Sequence, residues 1–320
     1  MRITYLLDVP PEVEDVSGLQ ADALAARGHL VRIAATDRPA SLRGGRRAEW
    51  IDAGDWAKAA MTAEDVVVAT SWRTAAAAER APLAVHLCQT FDPPPDGAPP
   101  LRMAVVGPAL REHWARAGAN PVDAGVIVDE QMYRRATPRE NAPPRLLLAG
   151  ASHTEVKGVD DGYGAVAHAR WFHQKLELVR ASPWAPSRQE PLDDVQEFHV
   201  GLDSDEMRRL LHSCDLLIAP ARAAEGFGML AAEAMAAGIP CLLTAIPAHL
   251  ALAEPRDYAL FGPERNAVEL GEKLIELLGD ADLRERLRVR GREVAEQWRA
   301  EKAIERLEEI LRESPARNGG

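Results

Sequence analysis

Cysteine is nearly missing from this chain. Cys88, Cys214 and Cys241 are scattered through 320 residues. Such spacing excludes a disulfide framework and a cysteine-built zinc site, and it fits reduced core thiols of a cytoplasmic protein. His199 and His212 have no partner at metal-ligand spacing, and no Asp-x-Asp metal motif stands out. A surplus of positive charge is also missing. The formal net charge is −11, with 27% of residues charged, which argues against nucleic acid as the main partner while leaving room for local basic patches. Lysine is scarce beside arginine. No long hydrophobic run suggests a membrane span or a secretory leader, because Met1-Arg-Ile-Thr-Tyr-Leu-Leu is short and runs straight into a fold. Internal repeats are absent beyond the similarity expected of two α/β halves.

What is present bounds the class. A hydrophobic share of 47% belongs to a globular protein, and 320 residues provide for two domains with a core each. One stretch concentrates the chemistry. Asp215-Leu-Leu-Ile-Ala-Pro220 reads as a buried parallel strand, and Ile239-Pro-Cys-Leu-Leu-Thr244 as a second. Between them lies Ala221 to Gly238, a loop and a short helix opened by Gly226-Phe227-Gly228 and capped by Gly238. The loop follows the carboxyl end of a strand, where open α/β sheets bind ligands. Glu225 lies on the loop, and Glu233 lies on a helix otherwise made of Ala, Met and Leu. A buried carboxylate is costly unless it is paired, and a sugar diol is a suitable partner. The amides of Gly226 to Met229 open a helix whose dipole favours an anion, and the glycines permit close approach. Phosphate flanked by two polyol-binding carboxylates matches a nucleoside diphosphate sugar. An ordinary βα loop, with Glu233 reaching solvent, is the alternative.

The order Glu-Gly-Phe-Gly-Met…Glu-Ala-Met-Ala-Ala-Gly-Ile-Pro resembles the Glu-x7-Glu signature of retaining GT-B-fold glycosyltransferases of the family-4 type. Ala26-Arg-Gly-His-Leu-Val-Arg-Ile is similar to another stretch of that family, and Gln297-Trp298 to its closing Ser-Trp. The resemblance implies an α/β GT-B fold: two Rossmann-like, doubly wound domains facing a cleft. It implies an acceptor domain over 1–138, a donor domain over 139–298, and a last helix in 299–320 that crosses back to the first domain. It implies that Glu225 holds the donor sugar, Glu233 the ribose, and the amides of Gly226, Phe227, Gly228 and Met229 the diphosphate. Lys157, followed by Gly158, matches the family's phosphate-binding lysine. Ser152 or a neighbour stands where the family carries an arginine, so Arg222 is a compensating candidate.

The first half follows the same logic. Arg2 to Leu7, His29 to Ala35, Asp65 to Thr70, Leu83 to Gln89 and Leu101 to Gly107 read as strands, and Val126-Ile-Val128 closes the half. The loop Pro10 to Gly18 departs from the family's two glycines: Ser17 is left as a helix cap and Gly18 as the point of phosphate approach. Its acids, Glu12, Glu14 and Asp15, are expected to be solvated. Thr70 stands where many members carry a histidine. Trp72 is an acceptor-side candidate for stacking on a sugar, with plain core packing as the alternative. Asp92 is a candidate acceptor ligand or a turn cap. Thr137 to Pro144 is the linker candidate, and His249 faces either the cleft or a surface turn.

The expected activity is metal-independent, retaining transfer of a hexose-type sugar from a nucleotide-diphosphate sugar to an acceptor hydroxyl, with no cofactor. The acceptor would be a glycan, lipid or small molecule, which keeps a peripheral membrane association open. A non-catalytic nucleotide-sugar-binding protein, or a GT-B epimerase or phosphorylase, is the alternative.

Overall fold

Short apolar runs alternate with helices along the whole chain, and that alternation winds parallel sheets. The structure is a computed structural model that describes residues 1–8, 16–36, 44–61, 65–134, 143–172 and 175–313. The acids Glu12, Glu14 and Asp15 and most of the linker candidate, 137–142, lie outside them. The chain divides into two compact units, Met1–Ile127 with Trp298–Gly320, and Val128–Gln297.

In the first unit the elements run β1 (Arg2–Leu6), α1 (Ser17–Ala26), β2 (Leu30–Ala35), β3 (Glu49–Asp52), α2 (Trp56–Met61), β4 (Val66–Ala69), α3 (Trp72–Ala78), β5 (Ala84–Cys88), β6 (Arg102–Val105), α4 (Pro108–Arg116) and β7 (Val122–Asp123). Among the described residues these strands form a parallel sheet ordered β3-β2-β1-β4-β5-β6-β7. The order reverses direction between β1 and β4. The closing strand is Val122–Asp123 and not Val126–Val128. Buried Val126, Ile127 and Val128 are apolar but carry no ladder. Burial alone therefore mimicked a strand there.

The second unit runs β8 (Arg145–Ala149), α5 (Val159–Trp171), β9 (Glu177–Ser182), β10 (Glu197–Val200), α6 (Ser204–His212), β11 (Leu216–Ala219), α7 (Met229–Ala237), β12 (Cys241–Thr244), α8 (Pro247–Leu250), β13 (Leu260–Gly262), α9 (Ala267–Gly279) and α10 (Ala281–Ala295). Its sheet is ordered β10-β9-β8-β11-β12-β13, with each pairing parallel. Leu146, Leu148, Leu216, Ile218 and Leu242 pack on one face against Val166 and Leu270 from the helices α5 and α9. The reversal falls between β8 and β11, the topological switch point of this sheet. All three cysteines are buried and free, and burial raises each thiol pKa. Among the described residues no helix is long and apolar enough to cross a membrane.

The last helix, α11 (Ala300–Arg312), is pinned within the first unit by a buried carboxylate. Glu308 accepts hydrogen bonds from Arg27 at 3.1 and 3.2 Å, and from Arg312 at 3.0 Å. His29 Nε2 lies 2.9 Å away. The Arg27 hydrogen bonds hold the Glu308 carboxyl down at about 2, against the ordinary 4.5. A carboxylate whose pKa falls on folding stabilises the native state above its unfolded pKa. That contribution is lost as pH drops from about 4.5 towards 2. Glu308→Gln is therefore expected to lower stability at neutral pH. It should also flatten the acid limb of stability between those two pH values, as read by thermal unfolding across pH.

Candidate donor site at the β8–β11 switch point

The site is built from two loops that leave adjacent strands at the carboxyl edge of the second sheet. One follows β8 and ends in a single 3-10 turn, Glu155–Lys157, closed by Gly158 at φ 58. The other follows β11 and runs from Pro220 to Gly228. They are fastened backbone to backbone, since the amide of Arg222 donates to the Val156 carbonyl at 2.7 Å. A Cβ on Gly158 would stand 1.9 Å from the Pro220 carbonyl oxygen, so only glycine permits the approach. Gly150 plays the same part for the lysine stem: a Cβ there would meet Lys157 Cβ at 2.7 Å.

This fastening brings Lys157 and Glu225 together. Lys157 Nζ donates to both carboxylate oxygens of Glu225, at 3.0 and 3.3 Å. Both groups are largely buried, with side chains 16% and 10% exposed. Arg222 is also engaged. Its guanidinium lies 2.6 Å from Asp161, in the first turn of α5, so it braces the loop against that helix. Ala223 is held by Glu264, whose carboxylate accepts its amide at 3.0 Å.

Past Glu225, Gly226 is half-buried while Phe227, Gly228 and Met229 are buried. Helix α7 starts at Gly228, φ 88, without a side-chain cap, whereas α3 and α6 are closed by capping boxes. Glu233 is 1% exposed, and every residue of α7 is buried. It does not reach solvent. His249 is fully enclosed at 1% exposure, which rules out the surface turn. Its Nδ1 lies 2.9 Å from the Thr244 carbonyl and so donates to it. Its Nε2 edge lies against Gly228, where a Cβ would come within 3.1 Å. Burial lowers the His249 pKa, leaving a neutral ring beside the Lys157–Glu225 pair.

Sequence reasoning missed one charged anchor. Arg180 is fully buried on β9 and donates to Glu190 at 2.7 Å and to the carbonyls of Leu148 and Gly150 at 2.8 and 3.0 Å. Glu190 also accepts from Ser152 at 3.1 Å and from Tyr163 at 3.0 Å. Burial acts to raise the Glu190 pKa, but the Arg180 hydrogen bond and charge outweigh it and the pKa falls. Ser152, which stands at the family's arginine position, is thus tied to this anchor. An apolar strand carrying one arginine was the available signal.

The remaining candidates lie in the first unit. Thr70 stands at the β1–β4 reversal, and its hydroxyl donates to the Leu6 carbonyl at 3.1 Å and accepts the Asp8 amide at 3.2 Å. Trp72 donates to the Asp92 carbonyl at 3.0 Å and packs edge-on to His86, ring centroids 4.2 Å apart. Asp92 is exposed, and its carboxylate accepts from the Thr90 hydroxyl at 2.7 Å, as a turn cap does. Ser17 is the first helical residue and Val16 holds the cap position, so Ser17 is not the cap. Gly18 is buried beside Gly44, where a Cβ would come within 2.8 Å of its carbonyl carbon.

Comparison with known proteins bears on the same region. Residues 184–294 match the family model described as glycosyl transferases group 1. An uncharacterized glycosyltransferase of Methanocaldococcus jannaschii is 29% identical over 109 residues, 34% of this chain. The match spans 31% of that relative's length. Three solved structures share the fold over nearly the whole chain. A glycosyltransferase from Rickettsia africae has a TM-score of 0.75 at 16% identity, covering 99% of both chains. A sucrose-phosphate synthase from Thermosynechococcus elongatus has a TM-score of 0.75 at 14% identity, covering 98% of both. Anabaena HepE in complex with UDP and glucose has a TM-score of 0.74 at 14% identity, covering 98% of this chain and all of that one. The fold is α/β of the GT-B type, with two Rossmann-like, doubly wound sheets.

Two substitutions test the construction of the site. Gly158→Ala must part the two loops and is expected to cost at least about 2 kcal/mol of stability, read from the denaturant midpoint. Glu190→Ala leaves the Arg180 guanidinium buried without its counter-ion. It is expected to cost about 3–5 kcal/mol by the same measurement.

Proposed function

We propose that this protein is a retaining glycosyltransferase that moves a hexose-type sugar from a nucleotide-diphosphate sugar to an acceptor hydroxyl, with no metal. One observation carries the reading: a largely buried lysine meets a buried glutamate at a topological switch point, and the glutamate's loop leads into a fully buried helix without a side-chain N-cap. The match of residues 184–294 to the group 1 glycosyltransferases supports sugar transfer, and HepE, crystallised with UDP and glucose, supports a nucleotide-sugar donor.

In this reading the diphosphate rests on the amides of Gly226 to Met229 at the start of α7, with Lys157 as its cation and Arg222 bracing the loop. Glu225 accepts hydrogen bonds from the transferred sugar, and Glu233 from the ribose. The acceptor oxygen bonds to the anomeric carbon on the face from which the diphosphate leaves. The bond from that carbon to the phosphate oxygen breaks, and the acceptor's proton passes to the departing phosphate. The protein's contribution is to stabilise the charge that gathers on the leaving oxygens, through Lys157 and the helix amides. Residues 139–298 are assigned the donor and 1–138 the acceptor, with Thr70, Trp72 and Asp92 as acceptor candidates, while Gly18 is assigned to the donor phosphate.

Thermal shift with UDP-, GDP-, ADP- and dTDP-sugars is expected to raise the melting temperature for one base, since a ligand that binds only the folded chain stabilises it. With that donor, Glu225→Gln should lose at least about 100-fold in transfer while keeping its melting behaviour. Product analysis by NMR reads the anomeric configuration. Unchanged turnover in Glu225→Gln, or an inverted product, would overturn the assignment.

A further inference from the structure

We infer that the Lys157–Glu225 ion pair is an exchange device that makes the site prefer the intact donor over the nucleoside diphosphate it leaves behind. The inference rests on the reading above and concerns what happens to this pair when a nucleotide enters. Among the described residues Lys157 is the one side chain bonded to the Glu225 carboxylate, through both oxygens. The pair neutralises itself in a nearly dry setting, Glu225 being 8% exposed. A diphosphate that recruits Lys157 competes with Glu225 for the three N–H donors and the charge of one ammonium. The carboxylate is then left buried with its counter-ion weakened, a costly state. An intact nucleotide sugar repairs that state, because its hydroxyls donate to Glu225 as its phosphates engage Lys157. A bare nucleoside diphosphate cannot. The exchange therefore weakens product binding relative to donor, which favours release after transfer.

Two features of the structure sharpen this. The loops that carry the two residues are locked by Gly158 against the Pro220 carbonyl, so the groups cannot part by loop movement without breaking that contact. The neighbouring His249 is neutral, with Nδ1–H committed to the Thr244 carbonyl, so it offers Glu225 no replacement cation.

The test is calorimetric titration of the nucleoside diphosphate and of its sugar conjugate, using the base chosen by the thermal-shift screen. Wild type should bind the conjugate more tightly. Glu225→Gln removes the competing charge, so the diphosphate alone should bind about tenfold more tightly and the preference for the conjugate should collapse. Two controls separate exchange from simple loss of a negative charge. Glu264→Gln removes a nearby carboxylate that is bonded to Ala223 and not to Lys157, and it should leave the preference intact. In a Lys157→Met background, Glu225→Gln should give no gain for the diphosphate. Melting curves check that each variant is folded. An unchanged preference in folded Glu225→Gln, or the same gain without Lys157, overturns the exchange and leaves the proposed function standing. Absence of binding by wild type to every nucleotide tested falls on the proposed function instead.

Discussion

Everything in the second unit follows from how closely two stretches of backbone can pass each other. The turn after β8 and the loop after β11 touch at Gly158 and Pro220, at a distance that leaves no room for a β-carbon. Adjacent parallel strands already bring the two chain segments to the same edge of the sheet. Their αβ crossovers then wind to opposite sides, which opens a crevice at that edge. Without glycine at 158 the crevice would be wider by the thickness of a side chain. Lys157 and Glu225 would then lose contact at 3.0 Å. A positive φ at one residue thus fixes the separation of two charges sixty-eight positions apart in the chain.

Charge is concentrated at this edge in a way that stability alone does not favour. Arg180–Glu190, Lys157–Glu225 and Arg222–Asp161 are all mostly withdrawn from solvent. Exchanging such a pair for apolar residues is often neutral or stabilising by a few kcal/mol. The three differ in what surrounds them. Arg180 also donates to the Leu148, Gly150 and Ala181 carbonyls, and Glu190 also takes Ser152, Ser187 and Tyr163, so that pair is saturated and acts as an anchor. Glu225 has only Lys157 among the described side chains. A saturated pair holds a shape, whereas a pair with spare lone pairs is available for exchange with a ligand.

Legibility in the sequence divided along the same line. Buried strands such as Val66–Ala69 and Leu216–Ala219 were readable because a parallel strand covered on both faces leaves an unbroken apolar run. Strand β3, Glu49–Asp52, was not, because an edge strand with an Glu-Trp-Ile-Asp pattern carries no such run. Glu225 and Glu233 stood out by their place around a Gly-Phe-Gly turn after a strand, and Lys157 with Gly158 only through the family resemblance. Their partners did not. The Asp161 brace on Arg222 and the Glu264 latch on the Ala223 amide join elements far apart in the chain, the Glu190 anchor spans the loop after β9, and composition carries no trace of which groups meet. His249 was ambiguous because its burial is decided by Gly228, whose missing side chain makes the space that the ring fills.

The two units share one winding, yet their switch points are furnished differently. At the β1–β4 reversal the polar groups are mainly hydroxyls: Thr70 serves Leu6 and Asp8, Thr74 serves the amides of Thr70 and Ser71, and the Ser71 hydroxyl donates to the Asp8 carboxylate, which also faces Arg73. At the β8–β11 reversal they are ions facing one another across a glycine seam. Satisfied hydroxyls lose little if nothing binds, so that edge can be rigid with or without a ligand. The same fold therefore carries different polar groups at its two switch points, and the difference lies in side chains that the topology merely delivers to the rim.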